Sequence, residues 1–363
     1  MTQNRLPILS LDEAIALQFR LVAAITETFR GPALLDGADL GLHDSSSPRF
    51  TRQVERTIAR FFEADDGLLV QGAGTGAMRE ALATVLPPGG RILLHTAGAY
   101  YTTQATLDMM GAREVQVDFH DLDAVRAAAA DVDAAIVQHT HQLPTDSYDP
   151  GAVIAAMRSG SPSLPIVVDD NYAVLKVPRI GSQLGADLST FSAFKLLGPP
   201  GVGCLVGRGD LVERTRKRNP SGGNVVQGPT ARAVLEGLVQ APVLLAIQDR
   251  VASEVAERLR ALPGVANARV ANLAETIVLV RLAEPIAPAV IRRAAELGAA
   301  DRPVGAESRH ELVPLVYRVS KTILRTVPDA AETMVRINPM RAGADTVVGI
   351  FGRALEEAAR GRS

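Results

Sequence analysis

Cysteine is nearly missing from this chain. Cys204 is the single example in 363 residues, so neither a disulfide framework nor a thiolate metal cage can be built. An excess of one charge sign is missing too. The 38 basic residues face 40 acidic ones, for a net charge of −2, and without a single-sign field neither nucleic acid nor an anionic membrane is expected as a partner. No basic-then-apolar segment opens the sequence, and no apolar run reaches membrane-spanning length. A soluble, cytoplasmic protein is the expectation. Repeats and low-complexity tracts are absent as well. With 47% apolar residues the chain can fill ordinary packed cores, and its length suggests about two domains.

What the chain has in quantity is alternation. Strand-like runs at 67–71, 91–95, 114–117, 134–138, 165–169, 188–191 and 202–206 are interleaved with helix-like segments at 77–86, 101–110, 122–130 and 150–158. Apolar runs between turns, with helices between them, indicate an α/β domain whose parallel sheet is covered on both faces. In such sheets ligands bind at the carboxyl ends of the strands. After Pro229 the texture changes. A helical stretch over 230–262 contains Pro242, a kink or break, and is followed by strands at 276–282, 312–318 and 333–337 and helices at 288–297 and 346–360. That reads as a smaller α+β domain, with the helix-like segment 11–29 packing beside it. The expected organisation is an N-terminal helical segment 1–45, a large domain 46–235 and a small C-terminal domain 236–363.

Lys195 is the most informative residue. A strand delivers Ser192, the lysine follows three residues later, and Gly198-Pro199-Pro200-Gly201 forces irregular backbone before the next strand. A lone ammonium among small and apolar residues is poorly solvated, which favours the neutral amine that condenses with a carbonyl. The plain alternative is a surface lysine in a Gly/Pro loop.

Other polar residues fall at strand ends. Gly72-Ala73-Gly74-Thr75-Gly76 lies between a strand and a helix and reads as a phosphate cradle or a plain tight turn. Tyr100 and Tyr101 could lie against a flat heterocycle or pack a helix start. Asp169 ends an apolar strand, where a carboxylate needs a cation or donor, or else caps a turn with Asp170. His139 and His141 would share a face if extended, but no third ligand stands near, so no metal is expected.

Together these residues resemble the fold-type-I pyridoxal-5′-phosphate-dependent enzymes, in the branch of class V aminotransferases, cysteine desulfurases and selenocysteine synthases. Residues 191–203, Phe-Ser-Ala-Phe-Lys-Leu-Leu-Gly-Pro-Pro-Gly-Val-Gly, are similar to that branch's Ser-x-x-Lys followed by Gly-Pro-x-Gly-x-Gly. Similarity continues, in order over residues 45–345, through Val168-Asp169, Gly74-Thr75-Gly76 and Met334-Val335-Arg336-Ile337-Asn338-Pro339. The resemblance implies a large domain with a mostly parallel seven-stranded-type sheet, helices on both faces, and a smaller α+β C-terminal domain. It implies that Lys195 holds pyridoxal 5′-phosphate as a Schiff base and that Asp169 keeps its ring nitrogen protonated. Gly74, Thr75, Gly76 and Ser192 would bind the phosphate. Tyr100 would stack on the ring, with Tyr101 or His95 as the other choices, and His141 or Gln142 would touch the phenolate oxygen. Arg336 would pair with a substrate carboxylate. Residues 223–228 would reach the phosphate of a neighbouring subunit in a homodimer. Phe194 stands where the branch often has His, and Cys204 lies in a strand rather than on a mobile loop, which disfavours persulfide sulfur transfer. The resemblance leans to transamination of an amino acid, with β-elimination next and racemisation also open; the residues themselves do not choose.

Two rivals remain. Residues 70–77 also resemble a methyltransferase glycine loop or a dinucleotide-binding turn, which would make the chain an S-adenosylmethionine or nucleotide binder. A non-catalytic binding protein on the same scaffold is the other. Substrate choice is expected to lie around residues 44–51 and 307–322.

Overall fold

A computed structural model describes residues 6–361, apart from 37–38, 42–46, 144–145, 222, 272–275, 305–307, 321–322 and 325–326. The parts of the two expected specificity segments that fall at 44–46, 307 and 321–322 lie outside the described residues. The chain forms two compact units, Pro7–Pro242 and a second one of Met1–Leu6 with Val243–Ser363.

The larger unit opens with helices α1 (Leu11–Thr28) and α2 (Arg49–Phe61). Ser10 starts α1 through a capping box, its hydroxyl accepting from the Glu13 N–H while Glu13 accepts from the Ser10 backbone. Alternation then follows as β1 (Asp66–Gln71), α3 (Ala73–Val85), β2 (Arg91–His95), α4 (Tyr101–Met110), β3 (Arg113–Val117), α5 (Leu122–Ala129), β4 (Ala134–Gln138), α6 (Pro150–Gly160), β5 (Ile166–Asp169), β6 (Leu188–Ser192), β7 (Val202–Gly207) and α7 (Gly209–Arg218). The strands make one seven-stranded sheet in the order β1-β7-β6-β5-β4-β2-β3. β3, β2, β4, β5 and β6 run parallel, and β7 turns antiparallel between β6 and β1. Apolar side chains of one face pack on α3, with Met78, Leu82, Ile92 and Leu205 buried; the other face holds Phe119, Val153, Met157 and Val168. Both faces being covered explains why the strands read as continuous apolar runs.

Helix α8 (Gly228–Arg260) passes through Pro242 without ending, and the division between units falls there, not at residue 235. It also corrects the expectation about apolar runs. Among the described residues this helix is long and apolar enough to cross a membrane by length and composition, and 50% of its apolar window is buried inside the protein. The second unit contains β8 (Val265–Val270), β9 (Val278–Leu282), α9 (Ala287–Glu296), β10 (Leu315–Tyr317), β11 (Met334–Asn338) and a final helix, Ala344–Arg360. Its sheet is antiparallel, in the order β10-β11-β9-β8. Val280 faces Val335 across β9 and β11, over a core that includes Val290, Val347 and Phe351.

Helix α1 belongs with the larger unit, against the expectation that it packs beside the smaller domain. The reason is its apolar stripe. Leu21, Ala24 and Ile25 are buried, Arg20 lies 5.6 Å over the Phe61 ring, and Phe29 meets Phe50 at 5.0 Å, both partners lying on α2.

Candidate active site

β5 and β6 lie side by side in parallel, with Asp169 opposite Thr190. The two strands therefore deliver their following residues at one edge of the sheet. One brings Asp169, Asn171 and Tyr172; the other brings Ser192 and Lys195.

Asp169 is buried. Its Oδ1 accepts from the Asn171 backbone N–H at 3.0 Å and from Asn171 Nδ2 at 2.7 Å. Burial pushes its carboxyl above the ordinary range, while the charge of Lys195 and the Asn171 bonds pull it back. The Asn171 amide is spent twice more. Its Oδ1 accepts the Ser192 N–H at 3.0 Å, and its side chain fills the space beside Gly74, where an added Cβ would stand 2.6 Å from Nδ2. Gly74 is thus required by Asn171, a reason the glycine pattern did not reveal. Asp170 points elsewhere, to His139 Nδ1 at 2.6 Å and the Gly181 N–H at 3.2 Å.

Lys195 lies on a one-turn 3₁₀ segment, Ala193–Leu196. Its Nζ is 3.6 Å from the centroid of the Tyr172 ring. The phosphate-cradle candidate is the start of α3. The Gly72 and Ala73 N–H groups donate to Gly201 O at 2.8 and 2.9 Å, and the first intrahelical bond runs from Gly76 N to Gly72 O at 2.8 Å. The Gly74 and Thr75 N–H groups precede that bond, at the positive end of the helix.

An open cleft is lined by His95, Gly98, Tyr100, Gln142, Tyr148 and Asp169, among others. Tyr100 is 39% exposed at the start of α4, its ring tilted against that of Tyr101 at 4.7 Å between ring centres. Gln142 donates to Gly98 O at 2.7 Å. His95 is buried under the cleft, accepts the Phe119 N–H on Nδ1 at 3.0 Å and faces Asp146 with Nε2 at 3.4 Å. His139 and His141 do not act as a pair. His141 donates from Nε2 to Tyr148 O at 2.9 Å, and its buried Nδ1 lacks a hydrogen-bond partner among the described residues. Burial holds its imidazole below the usual histidine value. His95, Asp118 and His120 bring ligand atoms within 4.8 Å of one another. Their ring nitrogens are committed to Phe119, Asp146, Asp118 and Ser147, so the cluster is read as hydrogen bonding.

Arg336 belongs to the smaller unit, on β11, where its Nε donates to Arg318 O at 3.0 Å and its guanidinium lies 4.3 Å over the Tyr317 ring. Of the segment 223–228, Val225 bridges to Val70 and Gln227 accepts the Gly41 N–H at 2.6 Å. Asn171 and Tyr172 were missed as site residues, although both directly follow the strand-end aspartates.

Residues 43–237 match the family model for aminotransferase class-V, and residues 250–351 match that for the YhfS-like C-terminal domain. The chain belongs to the class-V aminotransferase family. It is 44% identical over 352 residues to the uncharacterized protein YhfS of Escherichia coli (strain K12), covering 96% of this chain and 97% of that one. The crystal structure of the pyridoxal-5′-phosphate-dependent protein YhfS from Escherichia coli superposes with a TM-score of 0.95 at 43% identity, over 98% of this chain and all (100%) of the other. The 2-aminoethylphosphonate–pyruvate transaminase of Burkholderia thailandensis is 29% identical over 197 residues, 50% of this chain and 53% of that protein, so the chain spans about half of that relative. The cystathione gamma lyase CalE6 of Micromonospora echinospora, at 20% identity and a TM-score of 0.68 over 87% of this chain and 88% of that one, shares the fold.

Family and fold therefore agree with the resemblance read from the lysine motif. They overturn the nucleotide-binding alternative. The glycine loop follows β1, an edge strand antiparallel to its neighbour, whereas a dinucleotide loop follows a strand inside a parallel sheet.

Proposed function

We propose that this chain is a pyridoxal-5′-phosphate-dependent enzyme acting on the α-amine of an amino acid, with transamination as its reaction. One observation carries the reading. Lys195 and Asp169 meet at adjacent strand ends, and the charge of the first bears on the second.

The chain's residues fit the cofactor. Asp169 is a buried carboxylate whose hydrogen bonds from Asn171 both fall on Oδ1, so Oδ2 suits one more N–H donor, as a protonated pyridine offers. His141 Nδ1 is a buried acceptor without a partner among the described residues. The Gly74 and Thr75 N–H groups and the Ser192 hydroxyl suit a phosphate. When bound, the cofactor supplies an aldehyde for an amine and an electron-accepting ring. Lys195 would hold it and, once released, take the proton from the substrate's α-carbon at Nζ and hand it on to the carbon of the former aldehyde, the transfer that transamination requires. Asp169 would keep a proton on the ring nitrogen. Tyr100 would cover the ring, Gln142 and His141 would contact its oxygen, and Arg336 would bind the substrate carboxylate. A homodimer is proposed on the same resemblance, and light scattering on the purified protein would test it.

The primary test is hydride trapping followed by peptide mapping. Borohydride should leave a cofactor adduct on Lys195 in the wild type and none in Lys195→Ala; a wild type without the adduct ends the proposal. Amino donors, with 2-aminoethylphosphonate among them, would then be offered with pyruvate as acceptor. Alanine formation supports transamination. Release of ammonia from β-substituted amino acids would move the assignment to a lyase, and loss of optical activity to a racemase.

A further inference from the structure

The turn after β5 holds two large residues at positive φ, Tyr172 at 65° and Leu175 at 62°. That region is strained for a side chain with a Cβ and is kept only where the surroundings over-determine it. Here they do. Asn171 is fixed by Asp169 and by the Ser192 N–H, and its carbonyl accepts from Thr140 Oγ1 at 2.9 Å. The result is the placing of the Tyr172 ring. Its face lies 3.6 Å from Lys195 Nζ, well inside the reach of a cation–π contact, with Lys176 Nζ farther off at 5.7 Å.

We infer that Tyr172 is a positioning residue for the proton transfer. Its ring face seats the Lys195 ammonium and so holds the proton at Nζ between its removal from the substrate and its delivery. The inference deepens the reading of Lys195 as proton carrier and rests on it. Among the described residues the charged groups near the amine include Asp169, which attracts, and Lys176, which approaches the same ring and repels. Asp170 lies next to Asp169 and is paired with His139. None of these changes when the ring is replaced, so a shift on replacement reports the ring.

The test measures the Lys195 titration directly, on the full-length chain freed of cofactor. Trace acetic anhydride is applied across a pH series and the peptide carrying residue 195 is read by mass spectrometry. Wild type and Tyr172→Phe should titrate together, because both present an aromatic face. Tyr172→Leu keeps the apolar bulk but has no ring, and its midpoint should fall by about half to one pH unit. Pentafluorophenylalanine at position 172 keeps the shape of Phe and reverses the charge of the face, so it should fall at least as far; this comparison stands even where the Leu variant does not fold. Identical midpoints for Phe and its fluorinated form overturn the inference, as does a Phe variant that behaves like Leu. Hydride trapping separates the two claims. An adduct at Lys195 with unshifted midpoints removes the seat and leaves the proposed function; a shift without an adduct does the reverse.

Discussion

Two buried acids in the larger unit, Glu55 and Asp169, are treated in opposite ways. Burial raises the proton affinity of both. Around Glu55 the chain answers with fixed cations. Arg52 lies at 2.5 Å, Arg216 at 3.8 Å, and the Leu69 N–H donates at 2.9 Å. Arg216 in turn reaches Asp66 at 2.8 Å and Gly67 O at 3.0 Å, which binds α2, β1 and α7 into one knot. Around Asp169 the chain supplies an amide and the field of a lysine, and the carboxylate lines an open cleft. Guanidinium stays charged at any ordinary pH. An amine that enters a covalent bond gives up its charge. A structural acid is therefore neutralised by groups that cannot leave, and a working acid by groups that can, with space for a donor from outside.

The largest effect that would break this comparison comes from Asp169→Asn. Turnover should fall by about a thousandfold, because an amide cannot keep the ring nitrogen protonated. Stability should move the other way. The folded state binds the Asp169 proton more tightly than the unfolded one. Ionising it therefore costs stability, a cost that begins as pH rises past the ordinary value of 3.8 and is complete above the raised value. Without cofactor the Asn variant should melt at or above the wild type at pH 7, and its advantage should vanish near pH 4. A variant that melts lower at neutral pH would mean that Asp169 holds the fold together much as Glu55 does.

Glu55→Ala is the opposite arm. It strands Arg216 and the Leu69 N–H in a buried site, and the expected loss is about 3 kcal/mol in urea unfolding. Glu55→Gln keeps an acceptor for Leu69 and should lose about 1 kcal/mol. In both variants the folded fraction should still trap cofactor at Lys195. Loss of trapping in protein that is otherwise folded would tie this knot to the chemistry.

Gly74→Ala sharpens the picture at the cleft. In a helix, alanine is the better residue by about 1 kcal/mol. At this position its Cβ would stand 2.6 Å from Asn171 Nδ2, and overpacking of that kind costs about 1–3 kcal/mol. The clash should win, displace the amide from Asp169, and weaken cofactor binding by about tenfold in equilibrium dialysis. An unchanged affinity would show that Asn171 does not set the carboxylate.

What could be read in advance follows from range along the chain. The strands 91–95 and 134–138 and the helix 101–110 were legible because buried parallel strands are unbroken apolar runs with clear stops. Lys195 and Asp169 were legible because strand ends carry chemistry in such sheets. Helix α2, which begins directly after Pro48, was missed, although Phe50, Val54, Ile58 and Phe61 keep helical spacing. β8 was missed because it is an edge strand with exposed polar positions. The roles of Asn171 and Tyr172 depend on contacts with Gly74, Ser192 and Lys195, and no local pattern encodes contacts across that separation. His139 and His141 looked like partners by spacing, but the β4–β5 register turns the first toward Asp170.

The smallest expected effect concerns His141, a buried group on the cleft side of that comparison. Its Nε2–H is satisfied by Tyr148 O, while Nδ1 has no acceptor among the described residues for a second proton. Burial holds its proton affinity below the ordinary value of 6.5. The unfolded chain takes up a proton there as pH falls through 6.5 and the folded chain resists, so the wild type loses stability on acidification until the lowered value is passed. His141→Gln can still donate to Tyr148 O and does not titrate. The melting-temperature gap between wild type and variant should therefore narrow by about 2–4 °C between pH 7.5 and pH 5. A gap that stays constant would mean that the folded protein protonates His141 freely, and that its Nδ1 is open to water instead of held for a ligand oxygen.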